Sequence, residues 1–544
     1  MNKKRILDLL LELCYVPSIS ETKGEVEMSQ KIYEIIQRID YFKNHPHYLN
    51  IHQIPHDYMN RTYVTAFMKG KKKSNKTVIL LSHLDTVGVE EYGSFKKLAF
   101  NPVEYTEYLK NNHSISLSQE ALEDLKSGDF LFGRGIMDMK YGIAAGIEVL
   151  YQIEEIIDNF EGNILLVSVP DEEANSAGML AAVETLLSMK IEKELEYICA
   201  IISEPHFPKY PGDNHLYIYN GTVGKLLPVF YCVGKETHVG EPFAGLNPNL
   251  LTAKIIEKID QSPFLCDYFQ QAAGPVPTCL KQSDTKNEYS VQTPTAAYTY
   301  FNFITLNSTP KEILYRLKEI ADTAFMEVLE DIKEKSYKFE DLTGNRPRIP
   351  EVRPKVMFYH ELYDLCYKVH GETFKNHINN FIASIETKDL RQSSIELVKE
   401  IHHFSPYRDP MIILFLAPPY YPHSVNMENT KIIEVCKYIL NIAKEKFNRT
   451  ISLEPFFPGL SDMSYLGMIN SIDEELLKLH FPLWGEKYSI PIKTISQLNI
   501  PFLNIGPLGK DAHKYTERIC LSYSLETASF LIYEAVLKSL KTQG

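Results

Sequence analysis

Thr77 to Val87 spell TVILLSHLDTV, an apolar run that stops at His83 and Asp85. A near-continuous apolar segment of this kind predicts a strand buried on both faces, as in a parallel sheet covered by helices. Asn163 to Val169 (NILLVSV) and Tyr197 to Ser203 (YICAIIS) repeat the pattern. The intervening MKYGIAAGIEVLYQIEEI and SAGMLAAVETLLSM have helical spacing, with small residues that allow close packing on a sheet. The succession is βαβ. Each apolar run also leads into polar chemistry: His83 and Asp85 after the first, Asp171, Glu172 and Glu173 (VPDEEAN) after the second, Glu204 (ISEP) after the third. Ligand sites of open α/β sheets lie beyond the carboxyl ends of the strands. Asp138 in GRGIMDMK and His513 in GPLGKDAHKYTE complete the set.

The texture changes at Tyr217. NGTVGKLLPVFYCVG and AAYTYFNFIT read as half-exposed strands, with helices predicted in LLTAKIIEKI and KEILYRLKEIADTAFMEVLEDI. Residues 345–420 add helices behind the Pro-rich RPRIPEVRP, then a strand in MIILFLAPPYYP. The first pattern then resumes with an amphipathic helix, NTKIIEVCKYILNIAKEKF, and a buried strand, IPFLNIGPLG, that leads to His513. A closing helix, SLETASFLIYEAVLKSL, has Ser522 or Ser524 as its expected N-cap. The expected fold class is therefore α/β. A mostly parallel sheet with helices on both faces spans 1–215 and 425–544, and an α+β insertion occupies 216–424.

With 544 residues, 44% hydrophobic and 23% charged, a substantial core is expected. No run approaches the roughly 18 apolar residues of a membrane span. The basic start MNKKRILDLLLELCYV is broken by Asp8 and Glu12 at helical spacing, so it reads as an amphipathic first helix and not as a signal peptide. A cytoplasmic location without a membrane partner is expected. The net charge of −13 argues against nucleic acid. The eight cysteines are scattered without a CxxC pair, which predicts free, mostly buried thiols.

Histidine and carboxylate side chains in this number suit two divalent cations, zinc before cobalt or manganese, because a carboxylate can bridge two metals. Asp85, two residues after His83, points to the same side and is cast as the partner that orients the imidazole. Asp138 is the expected bridging ligand. Adjacent residues cannot share one role, so Glu173 is assigned as a ligand and Glu172 as the general acid/base. Glu204 and His513 are terminal ligands, with His206 and His215 as neighbouring alternatives. Taken singly, each motif has an ordinary explanation: a surface turn for His83 and Asp85, an N-cap for Asp138, solvated acids for Glu172 and Glu173. No GxSxG or catalytic-cysteine signature is present.

In HLDTV, GRGIMDMKYG, PDEE, SEP, GLSDMSYLG (Gly459 to Gly467) and GP…H…TER, most of the chain resembles the di-zinc aminoacylase/carboxypeptidase metallopeptidase family. Its length and added helices look most like the arginine-utilisation subgroup. The resemblance implies that His83 and Glu204 carry one zinc and Glu173 and His513 the other, with Asp138 shared. It implies that the insertion is a lid that also mediates a homodimer, and that His238 in GKETHVGEPFAGLNP polarises the scissile carbonyl. The chain departs from the family in its long insertion, in a poor match of Asn302 to the lid asparagine, and in Leu460 where a second glycine is usual. No counterpart of the carboxylate-gripping lid arginine is identified. The implied function is metal-dependent cleavage of an amide bond in a short peptide or N-acyl amino acid by metal-bound water, in arginine or amino-acid catabolism. The alternative is a non-catalytic metal- or ligand-binding protein on the same scaffold.

Overall fold

The computed structural model describes residues 1–112, 114–210, 212–386, 389–467 and 472–541. It divides into two compact units: Met1–Thr222 with Ser424–Asn470 and Pro491–Gly544, and Val223–His423 with Ser471–Ile490.

The first unit is built on an eight-stranded sheet. Its strand order is Leu49–Gln53, Thr62–Lys69, Glu161–Val169, Lys72–His83, Glu196–Ile202, Phe502–Asn504, Leu216–Tyr219 and Ile451–Glu454. Lys72–His83 lies at the centre, parallel to Glu161–Val169 and to Glu196–Ile202. Phe502–Asn504 extends the parallel set, and antiparallel pairing is found among the first three strands. The apolar halves of these strands are buried because helices cover both faces. Lys3–Cys14, Gly24–Gln37, Tyr141–Glu155, Thr430–Phe447 and Ser529–Lys541 share one core with Val78 and Leu80. Ala177–Glu192 packs on the sheet and on Ile492–Leu498. The expected α/β architecture is present.

Neither serine caps the last helix. The chain passes from strand Arg518–Cys520 into a π-helical turn, Tyr523–Ala528, that runs on into Ser529–Lys541. Ser522 instead donates from its N–H and its hydroxyl to Asp129, and the Ser524 hydroxyl donates to the Leu508 carbonyl.

In the second unit the sheet runs Thr278–Asp284, Ala296–Thr305, Pro228–Val233, Met411–Leu416, Val356–Phe358, with only the last pair parallel. The expectation of half-exposed strands fails here: Pro228–Val233 is buried throughout and Ala296–Thr305 nearly so. Pro248–Ile259 packs against three of the strands and against the helix Pro310–Thr343. Tyr359–Ser384 and Leu390–His403 share a core with the alternate residues Val229, Tyr231, Met411 and Ile413. The extra helices of residues 345–420 thus pack on one face of this sheet. Pro310–Thr343 opens with a capping box: the Glu312 N–H donates to the Thr309 hydroxyl, and the Thr309 N–H to the Glu312 carboxylate. Ser471–Ile490 joins this unit although it follows the return of the chain to the first, because Leu483 inserts into the same core. All eight cysteines are free, six of them buried.

His480 lies in this unit, its ring edge-on to Phe358 and His360, its Nδ1 buried without a hydrogen-bond partner. Burial, with Lys318 and His360 nearby, pushes its pKa down to about 4. An unfolded imidazole titrates near 6.5, so between the two values the unfolded chain binds more protons. Stability from this residue is therefore complete above that pH and is lost as pH falls towards 4. Thermal unfolding of His480→Phe is expected to be less sensitive to a drop from about pH 7 to pH 5 than that of the wild type, by the equivalent of roughly 1–2 kcal/mol.

Candidate metal centre

The sheet delivers its chemistry at one edge. His83 is the last residue of its strand, Glu172 and Glu173 lie in the loop after Glu161–Val169, and Glu204 follows Glu196–Ile202. Asp138 lies in a tight turn before Tyr141–Glu155, where the Asp138–Met139 peptide is cis. The turn needs Gly135: its φ is +72° and a Cβ would fall 2.5 Å from the Thr86 side chain. His513 sits in the hairpin between Gly509–Lys510 and Arg518–Cys520.

These residues converge. His83 Nε2 is 3.1 Å from Asp138 Oδ1 and 3.8 Å from Glu204 Oε2, and His513 Nε2 is 3.3 Å from Asp138 Oδ2 and 3.1 Å from Glu173 Oε1. The two oxygens of Asp138 therefore face different imidazoles, as a bridging carboxylate requires. Among the described residues, His83–Asp138–Glu204 and Asp138–Glu173–His513 each bring three donor atoms within 4.8 Å of one another, and so does His83–Glu172–Glu173. The ion pairs made by these carboxylates run to the two histidines.

The electrostatics suit the binding of cations. Burial pushes Glu172 well above the usual carboxylate range and Glu204 up to about 8. Burial opposes a charge on His83, but Glu172, Asp138 and Glu204 overcome it and raise its pKa; His513, against the same opposition, is held up to about 10 by Asp138 and Glu173. Asp138 is lowered despite burial because both imidazoles donate to it. Carboxylates thus outnumber the imidazoles they face, and the grouping calls for further positive charge. Divalent cations would supply that charge and leave neutral imidazoles as ligands.

Surrounding groups hold these side chains in place. His83 Nδ1 is 3.1 Å from the Asp85 carbonyl and 3.7 Å from its carboxylate. The Asp85 carboxylate is engaged elsewhere, accepting from the peptide N–H groups of Glu172 and Glu173 and from the Ser20 hydroxyl. Ser461 donates to Glu204 at 2.9 Å. Gly506 is required beside Glu204, since a Cβ would fall 1.7 Å from the Glu204 carbonyl oxygen. Asp462, in the same segment as Ser461, is buried against Ser176, and burial pushes it up to about 7. Arg134 donates to Glu517, whose other oxygen accepts from the Met137 N–H, tying the Asp138 turn to the hairpin of His513.

His206 and His215 belong to none of the three groupings. His206 Nε2 lies 2.7 Å from the His215 carbonyl and its ring stacks on Tyr217, while His215 pairs with Asp213. His238 is exposed on the second unit, bridged to Gln292, with its Nδ1 accepting from the Gly240 N–H. A cavity of about 560 Å³ opens between the segment after Glu204 and the hairpin of His513, lined by Met137, His206, Lys209, Tyr210, Lys510 and Lys514 among others. The sequence reading did not single out Ser20, Ser461, Arg134 or Arg61. Ser461 and Glu517 stood inside quoted motifs, but no spacing rule connects either to its partner.

A mostly parallel α/β sheet thus gathers imidazoles and carboxylates, a donor set suited to divalent cations, at the carboxyl ends of its strands. The profile of Peptidase family M20/M25/M40 matches residues 116–469, and the chain belongs to that family. It is 35% identical to Uncharacterized protein YqjN of Bacillus subtilis over 100% of this chain and 98% of that one, and 33% identical to Protein RocB of the same organism over 99% and 95%. The expected subgroup is thereby borne out. In fold it is similar to the di-peptidase Dug1p of Saccharomyces cerevisiae, with a TM-score of 0.56 at 11% identity over 100% of this chain and 97% of that chain.

Proposed function

We propose that the protein is a two-metal hydrolase that cleaves the amide bond of a short peptide or an N-acyl amino acid, in the breakdown of arginine or related amino acids. The single observation that carries this reading is Asp138, one oxygen towards His83 and the other towards His513. His83 and Glu204 would hold one cation and Glu173 and His513 the other, with Asp138 shared. Zinc suits this donor set, as do cobalt and manganese. Bound there, the cations supply Lewis acidity towards an amide carbonyl and bring the pKa of water towards neutrality.

Glu172 remains over once Glu173 is paired with His513. It takes the proton of the attacking water and delivers it to the departing amine nitrogen. Asp85 holds the backbone of both glutamates, which keeps their carboxylates in place, and its carbonyl faces His83 Nδ1. His238, on the lid, is the proposed polarising group for the scissile carbonyl. The lid is also the proposed contact of a homodimer.

The test is a screen of dipeptides, tripeptides and N-acyl amino acids against protein loaded with zinc, cobalt or manganese. Turnover of one amide class is the expected result. Metal bound at two equivalents with no turnover of any amide would turn the reading towards a metal-binding protein.

A further inference from the structure

The loop that carries Glu172 and Glu173 is wound on two aspartates. Six consecutive peptide N–H groups are used: those of Glu172 and Glu173 donate to the Asp85 carboxylate, those of Ala174, Asn175 and Ser176 to the Asp171 carbonyl, and that of Ala177 to the Asp171 carboxylate. Asp171 itself has φ +71°, in the left-handed region that aspartate enters more readily than most residues. Its side chain is engaged by Arg61. Its guanidinium is buried, donates through Nη1 to Asp171 Oδ1, and is fixed from behind by Asp57, which accepts from Nε at 3.0 Å and Nη2 at 2.7 Å. Glu25 stands 3.7 Å from Nη1.

We infer that Arg61 is a positioning residue for the reaction: through Asp171 it sets where Glu172 and Glu173 stand, without touching substrate. The inference rests on the roles proposed above for those two glutamates. The planar fork is what the place demands, since one edge must engage Asp57 while another nitrogen reaches Asp171. An ammonium keeps the charge but cannot hold both carboxylates in fixed directions.

The test compares Arg61→Lys with Arg5→Lys. Arg5 makes a fork to the buried Glu148 elsewhere in the same unit, so its replacement costs stability of a similar kind away from the site. Arg61→Lys is expected to lower kcat about 10- to 100-fold with KM changed less than about threefold, the range for losing an outer partner of a metal site. The visible absorption of the cobalt-loaded protein should also change. Arg5→Lys should lower the unfolding temperature while leaving kcat and the cobalt spectrum unchanged. If Arg61→Lys behaves as Arg5→Lys does, Arg61 is structural and the inference falls. Should Arg61→Lys not fold, Asp171→Asn takes its place: the same loss of kcat is expected, and an unchanged kcat and cobalt spectrum would overturn the proposal. A wild-type protein that binds no cobalt and turns over no amide would instead remove the hydrolase reading itself.

Discussion

Glu172→Gln is expected to lower kcat by about 10²- to 10⁴-fold while the protein keeps its full complement of metal. The substitution preserves shape and one oxygen but removes the ability to take up a proton. His83, Asp138, Glu173, Glu204 and His513 are untouched, so metal analysis of the variant should match the wild type. The measurement also separates two arrangements. Glu172 shares a three-donor grouping with His83 and Glu173, and its Oε2 lies 4.0 Å from His83 Nε2. If the variant loses metal along with activity, Glu172 is a ligand and the base must be sought elsewhere. If it keeps both, Glu172 has no role in the chemistry.

Asp138→Asn is expected to abolish turnover by a different route. Asn offers one oxygen and an NH₂ group that cannot ligate a cation, so only one of the two positions facing His83 and His513 survives. Bound metal should fall from two equivalents to one or fewer. Affinity should drop by more than the 10- to 100-fold typical of a lost outer partner. The gain in unfolding temperature on adding zinc, cobalt or manganese should shrink accordingly, because a ligand present at about 100 times its Kd stabilises by about 2.7 kcal/mol. A variant with wild-type stoichiometry and an undiminished thermal shift would remove Asp138 as the shared ligand.

The frame of the site was legible because buried parallel strands require uninterrupted apolar runs. TVILLS, NILLVSV and YICAIIS declared themselves, and the residues after them fell at the carboxyl edge of the sheet. What escaped depends on partners far apart in the chain. Arg61 meets Asp171 across 110 positions and Ser461 meets Glu204 across 257, and no local pattern encodes such a pairing. The strand AAYTYFNFIT looked half-exposed because Tyr, Thr and Asn interrupt its apolar residues. Tyrosine buries its ring readily, and Thr299 finds the Lys281 carbonyl as a hydrogen-bond partner. Ser522 matched the cap composition, yet the acceptor that claims it, Asp129, lies 393 residues earlier.

The second unit's sheet has helical layers over it where the sequence suggested an open side. Its outermost strands are Thr278–Asp284 and Val356–Phe358. Strand addition along such a margin and contact between helix surfaces are two routes this leaves open to association between copies of this chain. Where helices cover the sheet, its face cannot stack directly on that of another copy.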